Sequence, residues 1–259
     1  MVICLLNIFS NLNQITQALI AGIFSLSFTC LGSALVLFFK RINKTLMDSM
    51  LALSAGIMLS ASFFSLLLPA IEKAKEFNFI VWLVISIGFI TGGLFIFFTE
   101  KIFDLIAKKD LSNMKRCIML FTSITLHNIP EGLVIGVAFG LNNNLYTALI
   151  LTFGIAIQNF PEGAAVSLPF RKYLSRNKSF LIGCLSGIVE PIFASLGVIL
   201  VLRIQTLLPI IMSFTAGAMT YVIIKELIPE SQTNKNNGLI TLITMLGFII
   251  MMILELLLD

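Results

Sequence analysis

The sequence is dominated by recurring apolar runs, each about as long as the 20 residues that a membrane-spanning helix needs. Only 12% of the residues are charged, against roughly a quarter in soluble domains. Most of the surface must therefore face lipid, and we predict an all-α membrane protein that forms one transmembrane domain over residues 1–259. The eight predicted helices run near residues 15–39, 46–71, 79–106, 115–140, 145–170, 179–202, 206–230 and 238–257.

Lys and Arg residues fall mainly in alternate loops between the predicted helices. By the positive-inside rule, the odd-numbered loops are cytoplasmic and both termini are extracytoplasmic. The odd-numbered loops hold Lys40, Arg41, Lys44, Lys101, Lys108, Lys109, Lys115, Arg116, Arg171, Lys172, Arg176, Lys178 and Lys235, whereas the even-numbered loops hold Lys73, Lys75 and Arg203. The basic residues thus indicate topology and not a nucleic-acid partner.

Two neighbouring apolar helices carry a repeated polar motif. Residues 127–132 read HNIPEG and residues 158–163 read QNFPEG, so Asn, Pro, Glu and Gly recur at an offset of 31 positions. Consecutive spans run antiparallel, and inverted repeats with binding groups near the midplane are typical of transporters. A charged group in a span costs about 3 kcal/mol, which makes these residues candidates for function.

The spacing of the polar residues suits a metal ion. His127 and Glu131 lie one helical turn apart, as do Gln158 and Glu162, and Glu190 adds a third carboxylate from helix six. Each glutamate adjoins a proline, which frees a backbone carbonyl about one turn earlier. An imidazole, carboxylates and amide oxygens suit Zn²⁺, Fe²⁺, Mn²⁺ or Co²⁺ and do not suit Cu⁺. Two dications facing three glutamates would nearly balance in charge.

Two other classes of protein are compatible with part of this pattern. A lone histidine in a membrane is often bound by a neighbouring hydroxyl or carbonyl, so the metal hypothesis rests mainly on the three glutamates. An intramembrane zinc-dependent hydrolase would use His127 and Glu131 around Zn²⁺, but the chain has no HExxH motif and no second histidine. A membrane scaffold or sensor would leave the glutamates unexplained. We therefore expect a transporter and not an enzyme.

The paired HNIPEG and QNFPEG motifs resemble those of the ZIP family (Zrt/Irt-like proteins), particularly its bacterial GufA-like branch. Further similar segments lie at residues 54–69, 186–194 and 216–231, in the family's order. The resemblance implies a 3+2+3 inverted-repeat bundle with a metal site between helices 4 and 5. It also implies divalent metal uptake to the cytosol across a bacterial plasma membrane, with Zn²⁺ as first candidate and Fe²⁺, Mn²⁺ and Cd²⁺ as others.

The resemblance further implies two adjacent metal positions bridged by two glutamates. The first would use His127, Glu131, Gln158 and Glu162, with Met58 of helix two able to approach it. The second would use Asn128, Glu131, Asn159, Glu162 and Glu190. No cofactor is expected, because the metal is the substrate. The partners are metal ions and the lipid bilayer, and a homodimer is compatible with the pattern.

Three features depart from the family pattern. Asn159 replaces the Asp or His of many relatives, which makes the second position less anionic. Lys225 replaces the histidine that usually precedes Glu226, and the third loop contains no histidine. The small residues Ala216-Gly217-Ala218 predict close packing of helix seven against a neighbour, not a ligand site.

Overall fold

The computed structural model describes residues 9–39, 43–107, 114–141, 145–232 and 237–256. These residues form eight helical segments and include no β-strand. The segments are α1 Gln14–Phe38, α2 Lys44–Glu76, α3 Val81–Ala107, α4 Lys115–Gly140, α5 Leu145–Phe170, α6 Arg176–Arg203, α7 Gln205–Ser231 and α8 Asn237–Leu256.

The described helices confirm the predicted all-α fold. Seven segments, all except α4, are long and apolar enough to cross a membrane by length and composition of their described residues. The other segment, α4, spans 26 residues, and the side chains of 115, 116, 119 and 123 lie outside the described set. The chain is therefore a multi-pass membrane protein.

Segment α6 differs from the single helix predicted over 179–202. It consists of Arg176–Ser186 and Val189–Arg203, which are separated by Gly187 and Ile188. Pro191 lies in the first turn of the second helix, where backbone N–H groups have no intrahelical partner and proline is tolerated. Glu190 lies in the same turn. In contrast, α4 and α5 continue as helices through Pro130 and Pro161.

Two short π-helical segments interrupt α2 and α7. They are Ser62–Leu67 and Ile223–Leu227, and Pro69 and Pro229 follow them. Proline has no N–H and its ring crowds the carbonyl four residues earlier, so the preceding turn widens. Accordingly, the N–H of Leu68 donates to the carbonyl of Phe63, five residues earlier. Hydrophobic periodicity contains no signal for such widened turns.

The helix contacts follow the predicted 3+2+3 inverted repeat. Helix α1 packs along α5 while α6 packs along α4, and α2 packs along α8 while α7 packs along α3. In the inverted repeat, α1, α2 and α3 correspond to α6, α7 and α8, and α4 corresponds to α5. The α1–α5 contact is therefore equivalent to the α6–α4 contact, and the α2–α8 contact is equivalent to the α7–α3 contact. Within the centre, α4 and α5 also contact each other.

Glycines allow the closest of these helix contacts. A Cβ added to Gly217 would lie 1.9 Å from the carbonyl oxygen of Phe89 in α3, so no larger residue fits there. This confirms the packing role predicted for Ala216-Gly217-Ala218. Its repeat equivalent, Gly56, would place a Cβ 1.9 Å from the carbonyl oxygen of Thr244 in α8. Gly163 similarly brings α5 against the backbone of Thr29 in α1.

Several predicted topology markers lie outside the described residues. They are Lys40, Arg41, Lys108, Lys109 and Lys235, together with the side chains of Lys115 and Arg116. The described cysteines, Cys30, Cys117 and Cys184, form no disulfide bond with one another, and Cys4 is outside the described residues.

Candidate metal centre

The two repeated motifs meet where α4 and α5 contact each other. Gln158 Nε2 of α5 donates to Glu131 Oε1 of α4 at 2.6 Å. Reciprocally, His127 Nε2 of α4 lies 3.3 Å from Glu162 Oε2 of α5. Each helix therefore presents a carboxylate to a nitrogen-bearing side chain of the other, as expected for one-turn spacing on facing helices. All four residues are fully buried.

These four side chains, which we call the primary cluster, carry unusual numbers of unpaired polar atoms. His127 Nδ1, Glu131 Oε2, Gln158 Oε1 and Glu162 Oε1 have no hydrogen-bond partner among the described residues. His127 Nε2 and Glu162 Oε2 have only their mutual 3.3 Å contact, which lacks hydrogen-bond geometry. A buried polar atom without a partner costs about 1–3 kcal/mol. The described protein groups do not compensate for this cost. A bound cation would compensate for it, because the oxygens and an unprotonated imidazole nitrogen can act as its ligands.

A second group of polar side chains, the secondary cluster, surrounds Glu190. Asn159 Nδ2 donates both to Glu190 Oε2 and to Ser25 Oγ, each at 2.9 Å. The Thr29 hydroxyl donates to Glu190 Oε1 at 3.4 Å. Both carboxylate oxygens of Glu190 thus accept hydrogen bonds, in contrast to those of Glu162. Asn128 Nδ2 instead donates to the backbone carbonyl of Ser186 at 2.9 Å.

The two clusters adjoin each other through their carboxylates. Glu190 lies within electrostatic range of both Glu131 and Glu162. Nevertheless, the described residues contain no group of three or more His, Cys, Asp or Glu side chains spaced to hold one ion. The close contacts are pairwise, so an ion would draw on amide oxygens or on a small side-chain shift to complete its ligand shell.

The predicted site residues are therefore distributed over four places. His127, Glu131, Gln158 and Glu162 come together, Asn159 joins Glu190, and Asn128 faces Ser186. Met58 is fully buried on α2 within the hydrophobic core. Its neighbour on that helix, Ser54, reaches the centre by donating to the carbonyl of Gln158 at 3.0 Å.

Sequence reasoning missed the contribution of α1. Ser25 and Thr29 look like packing residues in an apolar run, yet both are fully buried against Asn159 or Glu190. The repeat contains a signal for them. Ser25 and Ser186 are separated by 161 positions, as are Thr29 and Glu190, so α1 contributes the counterpart of the α6 motif.

The residues around Lys225 form a separate polar group at the second π segment. Lys225 of α7 pairs with Glu100 of α3, and the Tyr221 hydroxyl donates to the same carboxylate at 3.1 Å. Glu226 lies within electrostatic range of Glu100 and of His127. The ammonium group that replaces the usual histidine is therefore bound by a carboxylate.

A polytopic helical bundle with buried carboxylates, an imidazole and amides at an inverted repeat defines a membrane protein with a candidate cation centre. The family described as "ZIP Zinc transporter" matches residues 106–255. The chain belongs to this ZIP family.

Similar proteins cover nearly the whole chain. Zinc transporter ZIP11 of Xenopus tropicalis is 31% identical over 94% of this chain and 97% of its own length. Zinc transporter ZIPB of Bordetella bronchiseptica is 33% identical over 93% of this chain and 81% of its own length. Zinc transporter GufA of Myxococcus xanthus is 30% identical, with 92% and 97% covered.

Proposed function

We propose that this chain transports divalent transition-metal cations, Zn²⁺ first among them, to the cytosol through the primary cluster. One observation carries the proposal. Four fully buried residues from two antiparallel helices come together, and several of their oxygen and nitrogen atoms have no hydrogen-bond partner among the described residues. The membership in the ZIP family and the zinc transporters among the relatives support the same substrate class.

The cluster explains how an ion could both enter and leave. Glu131 and Glu162 replace hydration water with carboxylate oxygens, and His127 adds a nitrogen ligand when unprotonated. Gln158 already binds one oxygen of Glu131, so its amide competes with the cation for that carboxylate. Protonation of a carboxylate or of His127 weakens metal binding and favours release.

The proposed direction, uptake to the cytosol, is the one that the resemblance to the ZIP family implies, and it is stated relative to a proposed orientation. The basic residues concentrate in the odd-numbered loops, which supports cytoplasmic odd loops and extracytoplasmic termini. We assign the protein to the plasma membrane of a bacterium, where uptake would run from outside to cytosol. ZIPB and GufA, both bacterial relatives, support this assignment.

The hydrolase alternative gains no support from the centre. A metal-dependent hydrolase needs a general base beside the ligands to act on a bound water. The titratable residues at the primary cluster are those already assigned to the ion, and the relatives described above are named transporters. Transport without catalysis therefore remains the proposed function.

Uptake of radioactive Zn²⁺ into sealed proteoliposomes tests the proposal. Glu131→Ala and Glu162→Ala should each lower uptake by about 100-fold, since each removes a charged ligand. Glu76→Gln is the matched control, because this exposed carboxylate pairs only with nearby Lys73 at the protein surface among the contacts described and should retain normal uptake. Near-normal uptake by both alanine variants would refute the role of the primary cluster.

A further inference from the structure

We infer that this chain binds a single dication, at the primary cluster. At the adjacent position, hydrogen bonds within the secondary cluster take the place of a second metal ion. The inference rests on the proposed function and specifies its stoichiometry. It departs from the two metal positions that the family resemblance implies. Asn159 is the residue that accounts for one bound ion instead of two.

The first argument compares the hydrogen bonds that the carboxylate oxygens of the two clusters accept. Each oxygen of Glu190 already accepts a hydrogen bond, one from Asn159 and one from Thr29. The Ser25 hydroxyl also lies within hydrogen-bonding range of this carboxylate. By contrast, three of the four carboxylate oxygens of Glu131 and Glu162 accept no hydrogen bond among the described residues, and one of these three, Glu162 Oε2, has only the 3.3 Å contact with His127 Nε2. The amide oxygens of Asn128 and Asn159 also have no hydrogen-bond partner among the described residues, but they are neutral. Between these two clusters, the carboxylate oxygens that accept no hydrogen bond therefore lie in the primary cluster.

The second argument is the chemistry of the Asn159 amide. Its NH₂ group faces Glu190 and Ser25, and an NH₂ group cannot ligate a cation. Turning the amide over would place its oxygen against the carboxylate and lose the donated bonds. An aspartate at this position would instead add a second anion beside Glu190 and require a positive ion between them. The asparagine thus replaces a cation with a hydrogen bond.

The third argument is the backbone beneath Glu190. The break at Gly187 and Ile188 starts a new helix, and Glu190 lies in its first turn. The positive end of the helix dipole stabilises a carboxylate at that place. Glu190 therefore has partners for its charge without a metal, while Glu131 and Glu162 alone balance the two charges of one dication.

The test counts bound ions on the purified full chain in lipid nanodiscs, by equilibrium dialysis against radioactive Zn²⁺. We expect saturation at one ion per wild-type chain. Asn159→Asp should raise the count to two, and Glu190→Gln should keep it at one with less than about a tenfold change in dissociation constant. Two ions of similar affinity on the wild-type chain, or loss of the ion in Glu190→Gln, would overturn the inference.

A second variant separates this inference from the proposed function. Glu131→Gln/Glu162→Gln should bind no ion, which also measures any background binding at the surface. If that variant keeps the wild-type count, the primary cluster is not the binding site and the proposed function fails. If it loses all ions but the wild type bound two, only the stoichiometry is wrong. Wild-type counts decide the question even where Asn159→Asp fails to fold.

Discussion

The two π-helical segments have the same backbone conformation and differ in the side chains that they present to a neighbouring helix. Each follows an Ala-Gly-x-Met sequence, starting at Ala55 or Ala216, and each precedes a proline. Each also contacts a glutamate of the partner helix, Glu255 of α8 or Glu100 of α3. These glutamates are separated by 155 positions, as are Gly92 and Gly247 of the same helices. The repeat has therefore retained its packing at both places.

The partners of the two glutamates are different in charge. Ser65, a neutral hydroxyl, donates to Glu255 at 2.5 Å, whereas the ammonium of Lys225 pairs with Glu100. In the proposed orientation, the first segment lies in the extracytoplasmic half and the second in the cytoplasmic half. The two ends of the repeat therefore have equivalent packing and differ in the charge of the group that binds the glutamate.

The largest expected effect tests the shared packing. Gly56→Leu and Gly217→Leu should each destabilise the fold by about 3 kcal/mol, because any Cβ would collide with a carbonyl of the facing helix. The two losses should be similar if the packing is equivalent. Thermal unfolding in detergent measures them, and Gly238→Ala is the control, since its Cβ would meet nothing within 4 Å. A large effect at only one glycine would break the comparison.

An intermediate effect tests the charged partner. Lys225→Met should cost about 2 kcal/mol by leaving Glu100, whose side chain is 12% exposed, without its ion pair. The loss is limited because the Lys225 side chain is 49% exposed and solvent partly screens its charge. The same thermal assay measures the loss. Adding Glu100→Gln should recover most of it, and a double variant as unstable as the single one would argue against the ion pair.

The smallest effect tests the neutral partner. Ser65→Ala should cost about 1 kcal/mol, the net value of one hydrogen bond to the buried Glu255. Ser65→Thr retains the hydroxyl and serves as the control in the same thermal measurement. If Ser65→Ala and Lys225→Met lose the same stability, the proposed difference between the two π-helical segments is wrong.

Hydropathy was sufficient to predict the helices because lipid requires continuous apolar runs with internal hydrogen bonds. It did not predict their ends or interruptions. The chain continues as a helix to Glu76, beyond the predicted end of α2 at residue 71, because a helix can extend past the apolar layer into polar surroundings. The break in α6 and the two π segments depend on local backbone hydrogen bonding, which periodicity does not report.

The repeat was sufficient to predict the primary cluster, because equal spacing on two antiparallel helices brings equivalent residues together. It was not sufficient for the secondary cluster. The partners of Asn159 and Glu190 come from α1, whose Ser25 and Thr29 resemble ordinary packing residues within an apolar helix. Their role depends on which helix packs beside α5, and that is a property of the tertiary structure.

The two asparagines place unequal evolutionary restrictions on their neighbours. Asn128 donates to the backbone carbonyl of residue 186, an acceptor that every amino acid provides. Asn159 donates to the hydroxyl of Ser25, an acceptor that most amino acids lack. The Asn128 contact therefore does not restrict the side-chain chemistry at position 186, whereas substitutions at positions 25 and 159 should arise as correlated pairs.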